Sequence, residues 1–313
     1  MSAPYGEIQD DCSWTESDDC WTNTGIQSDF IGSILTNAGQ DVDYFTSDNM
    51  PAISPNDYSL VIVQDPSDTL RKTFDKDVVE DSIPDLLEYV NTQTFIDNLT
   101  DYFHSGGNIL LIGDAVKLLE DGALRLNFGK TITTDYVANS PSLSDDQLPS
   151  QWPFIRGNPF CCANRSGSGT YKIESSNYLT EGSVLSNISL VDGCDYPTPL
   201  IWSEVVYYPT DGVSLLDVRV EATGEYVLDG TTCSPTEYSV TVDDVLTNFV
   251  GYTTFGARKI YYIGGDSYFD FEFHNYTGYW HCNDTQDITN TITSDGQSII
   301  TSLINDIIYG SSD

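Results

Sequence analysis

The stretch NILLIGDA, residues 108–115, is apolar at four consecutive positions and closes on Gly113 and Asp114, just after the helix breaker His104-Ser105-Gly106-Gly107. Strand side chains alternate between two faces, so a run apolar at every position has to be buried on both. Two other stretches carry the same signal. YSLVIVQDP (58–66) contains the run Leu60–Val63, and ARKIYYIGGDSYF (257–269) ends in Gly-Gly-Asp. Between and around them the spacing turns helical. SDFIGSILTNA (28–38) places Phe30, Ile31, Ile34 and Leu35 on one face, with Gly39 as the stop. Residues 79–103 suit one or two helices, and SDGQSIITSLINDIIYG (294–310) is an amphipathic closing helix. Residues 5–11 and DVDYF (41–45) read as further strands, and 116–129 begins as a short helix. This alternation predicts an α/β fold: a flavodoxin-like, mostly parallel sheet with helices on both faces.

Near residue 130 the character changes. Ser, Thr, Tyr, Gly and Pro dominate 131–247, broken by the short β-like runs TYKI, SVLSNISLV, LIWSEVVYY, LLDVRV and YSVTV. The expected organisation is therefore one α/β domain formed by 1–130 and 250–313, with a β-rich insertion at 131–249.

Composition narrows the roles. The chain has 313 residues, of which 48 are Asp or Glu and 12 are Lys or Arg, for a formal charge of −36. That sign repels nucleic-acid phosphates and anionic membranes, so neither is an expected partner. It favours solubility and opposes compaction unless cations screen it, which suits high salt, an extracellular setting, or a surface that collects Ca²⁺ or Mg²⁺. No apolar run is long enough to span a bilayer, and MSAPYGEIQD does not read as a signal peptide. The seven cysteines form no CxxC pair. In a Lys-poor, loop-rich chain they read as disulfides of an oxidising compartment: Cys12, Cys20, Cys161, Cys162, Cys194 and Cys233 as disulfide partners, with Cys282 left as a free or intermolecular thiol. Sequons at Asn98, Asn164, Asn187, Asn275 and Asn283 are candidate glycosylation sites, although a Ser/Thr-rich chain of this length yields about as many by chance.

The phrases AGQDVDYF, YSLVIVQDP, YFHSGGNILLIGDA and RKIYYIGGDSYF, taken in this order, resemble the class I glutamine-amidotransferase-like superfamily, particularly its ThuA-like and other divergent extracellular branches. The resemblance covers somewhat under half of the chain and implies the flavodoxin-like fold. In active relatives the strand matching NILLIG runs into an elbow that holds a cysteine nucleophile. Here the turn is Gly113-Asp114-Ala115-Val116, with neither Cys nor Ser. The resemblance therefore implies a scaffold without that chemistry.

Asp11 (with Asp10), Asp65, Asp114 and Asp266 each fall at the expected carboxyl end of a strand, the edge where open parallel sheets bind ligands. Converging carboxylates there suit Ca²⁺, Mg²⁺ or a polar ligand. The competing explanation is that each caps the turn that follows. Asp114 is also a candidate carboxylate nucleophile that nothing else in the sequence supports, and His104, His274 and His281 are too scattered to read as a zinc triad. Segment 268–281, YFDFEFHNYTGYWH, offers Tyr268, Phe271, Tyr276, Tyr279 and Trp280 for stacking on sugars or for a subunit contact. The role these features favour is a non-catalytic extracellular assembly protein, a surface-layer, sheath or filament subunit that self-associates. A glycan- or ligand-binding module stands second, and a hydrolase using strand-end carboxylates third.

Overall fold

The computed structural model describes residues 26–45, 50–63, 86–139, 165–192, 202–229, 235–265 and 287–310. Helix α1 (Ile26–Asn37) leads to strand β1 (Leu60–Val63), then helix α2 (Leu86–His104) and strand β2 (Asn108–Ile112). A 3₁₀ segment, Gly113–Leu119, follows β2. The strands β3 (Ile132–Asn139), β4 (Arg165–Ser176), β5 (Val184–Asp192), β6 (Trp202–Pro209), β7 (Val213–Asp229), β8 (Pro235–Phe255), β9 (Arg258–Ile263) and β10 (Asp287–Ile292) come next, and helix α3 (Ser294–Tyr309) closes the chain.

Eight strands form one sheet in the order β1-β2-β9-β8-β7-β4-β5-β10, while β3 and β6 pair as a separate ribbon. Only β1–β2 and β2–β9 are parallel. From β9 onward every pairing is antiparallel. The sheet is thus mixed, mostly antiparallel and curled into a half-barrel, which corrects the expected mostly parallel flavodoxin-like sheet. The physical reason lies at β8. Its residues Val250–Phe255 pair with β9 through Tyr252↔Tyr261, so the long β7–β8 hairpin continues the sheet directly. A second correction concerns DVDYF: residues 41–45 carry no strand, and Asp41, Asp43 and Tyr44 are exposed. Tyr44 instead lies on α1 at Gly32, where an added Cβ would stand 1.7 Å from its hydroxyl. The expected strand at 5–11 lies outside the described residues.

Two apolar cores sit on opposite faces. α2 covers one face with Phe95, Ile96, Leu99 and Phe103 against Val61, Val63, Ile109, Leu111 and Ile260. α1 and α3 cover the other, where Ile31, Ile299, Ile300, Leu303 and Ile304 meet Leu110, Ile112, Tyr171, Ile173, Val218 and Leu246. The double-sided burial read from Leu60–Val63 and Asn108–Ile112 is therefore present. α1 ends in a Schellman pattern, with Gln40 N donating to Leu35 O (3.0 Å) and Gly39 N to Thr36 O (2.9 Å), while Gly39 takes φ +83. Thr293 caps α3 by accepting from Gly296 N at 3.1 Å.

Candidate functional site

The carboxyl ends of β2 and β9 are where a ligand crevice is expected, and they are filled. Beyond β2 the 3₁₀ segment buries Ala115, Val116, Leu118 and Leu119. Beyond β9, Gly264 donates its N–H to Phe249 O (2.7 Å) and accepts from Tyr207 N (3.0 Å). A methyl group at Gly264 would stand 2.5 Å from Tyr207 O and 2.6 Å from Val206 Cγ1. Strand β6 therefore lies across this edge with backbone in close contact. Asp114 meets Lys117 Nζ at 3.3 Å, and that ammonium sits 4.2 Å from the centroid of the buried Tyr207 ring. Through Lys117 the pair ties the turn after β2 to β6.

Of the four strand-end carboxylates only Asp114 falls among the described residues; Asp11, Asp65 and Asp266 lie outside them. No group of three or more His, Cys, Asp or Glu side chains is arranged to hold a metal ion among the described residues. The aromatic segment with Tyr268, Phe271, Tyr276, Tyr279 and Trp280 lies outside them as well, as do Asn164, Asn275 and Asn283. Asn98 sits within α2 and donates Nδ2 to Met50 O at 3.0 Å, so a glycan there would displace a tertiary hydrogen bond. Asn187 is exposed on β5 beside Thr170, whose hydroxyl reaches its Oδ1 at 3.4 Å. All seven cysteines, Cys282 among them, lie outside the described residues. The expectation of disulfides at Cys12, Cys20, Cys161, Cys162, Cys194 and Cys233 is therefore withdrawn, since no described residue supports it. The bridges were inferred from composition, which carries no information about spatial approach.

Three polar arrangements went unread in the sequence. On the sheet face opposite α3, Arg219 of β7 donates Nε to Glu174 of β4 (2.8 Å) and Nη1 to Asp243 of β8 (2.5 Å). Lys172 pairs with Glu221 on the same face. The hydrogen bond from Arg219 holds the Glu174 carboxyl below its usual range, and both acids raise the guanidinium. The alternation Asp217-Val218-Arg219-Val220-Glu221 was the available signal, a strand with one charged and one apolar face. Second, Lys130 donates to Asp211 (2.6 Å) and to Thr254 O (2.7 Å), while the buried Thr253 donates to Asp211 (2.9 Å). Burial works against ionisation of Asp211, but these donors prevail and its pKa is lowered. Third, Asp217 accepts from Ser175, Ser214 and Asn248 N at 2.7–2.8 Å, where β7 shifts register. Each is a satisfied staple between strands, and sequence spacing could not pair partners up to 124 residues apart.

One shallow hollow of about 440 Å³ runs along α3 at Ser294, Gln297, Ser298, Thr301 and Ser302. Its hydroxyls suit a polar ligand. No protein-family model, curated protein or solved structure matches this chain.

Proposed function

We propose that this chain is a non-catalytic structural subunit of an extracellular assembly, such as a surface layer, sheath or filament. The observation that carries the reading is the closed strand-end edge. The place where an α/β sheet presents a nucleophile or cradles a ligand is filled here by Tyr207, Val206 and Gly264. A second feature agrees. β7 and β8 run for 17 and 21 residues, where typical strands have about 5–6. Extended antiparallel structure of this kind provides surface and backbone edges for contacts between copies. The acidic, Lys-poor composition suits an extracellular setting. Sedimentation velocity over a hundredfold range of protein concentration tests the reading. Species heavier than the 34.6 kDa chain, growing with concentration, are expected, and a lone monomer throughout would refute it.

A second reading has one observation of its own, the hydroxyl-lined hollow on α3. If it holds a sugar, glycan-array binding is expected and Thr301→Val weakens it. Binding unaffected by that substitution removes the hollow from consideration.

A further inference from the structure

Among the described ion pairs charge is sorted by depth. Five salt bridges are described, and in every one the base is the more buried partner. Lys130 is 10% exposed against 55% for Asp211, and Arg219 is 32% against 60% for Asp243. Arg125 is the only buried charged residue among the described ones, where no carboxylate is buried. The other described bases are also drawn inward or laid on rings. Arg125 donates to Ala123 O and Leu124 O. Arg258 bonds Gly107 O and stacks 4.1 Å from the Phe103 centroid, and Lys259 lies 4.3 Å over Tyr252. Among the described ion pairs the acid is thus the partner turned toward solvent, while Lys259 is exposed and lies over a ring.

We infer that this protein is a cation-dependent fold: a diffuse shell of mobile cations, held by outward carboxylates with no dedicated site, stabilises the compact state and gates contact between copies. The gating half rests on the assembly reading above. Magnitudes fix the working range. The 15807 Å² surface shared among 36 net charges allows about 440 Å² each, a mean spacing of about 21 Å. The Debye length is about 30 Å at 0.01 M salt and about 8 Å at 0.15 M. Neighbouring net charges therefore repel at low salt and are screened near physiological strength, so the dependence saturates well below molar salt. Two copies, each at −36, face the same repulsion in docking.

The test is scanning calorimetry of the whole chain from about 10 to about 500 mM NaCl, and in choline chloride at matched ionic strength, with light scattering on the same samples. The Tm is expected to rise by on the order of 5 °C between about 10 and about 150 mM, equally for both cations, and then to level. Scattering above the monomer value is expected only once the Tm has levelled. A Tm that stays flat overturns the inference. So does a rise produced by micromolar Ca²⁺ but by neither monovalent salt, because that would mean a specific site. A rising Tm with scattering fixed at the monomer value upholds the charge shell and refutes the assembly reading instead.

Discussion

Gly264 and Tyr262 show how single side chains set the geometry of the strand-end edge. Gly264 is a close-approach glycine, with Tyr207 O and Val206 Cγ1 where a methyl group would go. Gly264→Ala is expected to cost about 1–3 kcal/mol through overpacking, read as a lower denaturant midpoint with unchanged slope. Tyr262 is fully buried, its hydroxyl has no hydrogen-bond partner, and burial raises its pKa. Tyr262→Phe should therefore be neutral or stabilise by up to about 1 kcal/mol. Tyr102 is the contrast. Its hydroxyl donates to Tyr58 O at 2.9 Å, and burial pushes its pKa up to about 12. Tyr102→Phe should cost about 1 kcal/mol, and equal effects of the two substitutions would count against these environments. None of this was legible in the sequence. The phrase YYIGG announced a buried strand and a turn, but not that β6 would cross behind it.

At the scale of elements, the sequence was most informative where burial is two-sided. Leu60–Val63, Asn108–Ile112 and the stripe Ile299, Ile300, Leu303, Ile304 and Ile307 each became the buried element their pattern demanded. The β-like runs between 131 and 247 also became strands. Their partners stayed hidden because alternation fixes which face a residue takes, whereas pairing order depends on contacts distant in sequence. DVDYF failed for a related reason: its alternation is compatible with a strand, but its residues are largely exposed and Tyr58 donates to Asp43 from outside any ladder (2.8 Å). The Glu174–Arg219–Asp243 ladder yields a pH prediction. Glu174 has a depressed folded pKa, so its contribution is full above the unfolded carboxylate value and fades as pH falls through the folded one. Glu174→Gln should lower the Tm at pH 7, with the gap from wild type closing as pH falls below the usual carboxylate range. A gap that persists unchanged at low pH would mean the ladder acts by packing alone.

For the whole molecule, two opposing charge effects meet on the acid side. Lowering pH toward the sequence isoelectric point near 4.1 removes surplus negative charge and relieves self-repulsion. Lower still, carboxylates held below their usual range, Glu174 and Asp211 among them, are protonated and their bonds weaken. In low salt the Tm should therefore rise from pH 7 toward the isoelectric point near 4.1 and fall below it, and added salt should flatten the rising limb. A Tm that falls steadily from pH 7 would show that repulsion does not govern stability. The functional account itself rests on β6 closing the carboxyl edge of the sheet, and amide hydrogen exchange at Tyr207 and Gly264 measures that most directly. Their N–H groups bond Gly264 O and Phe249 O, so they should exchange among the slowest in the chain, near the limit of global unfolding. Exchange as fast as at the exposed turn glycine Gly256 would mean that the edge stands open, and the non-catalytic reading would fall with it.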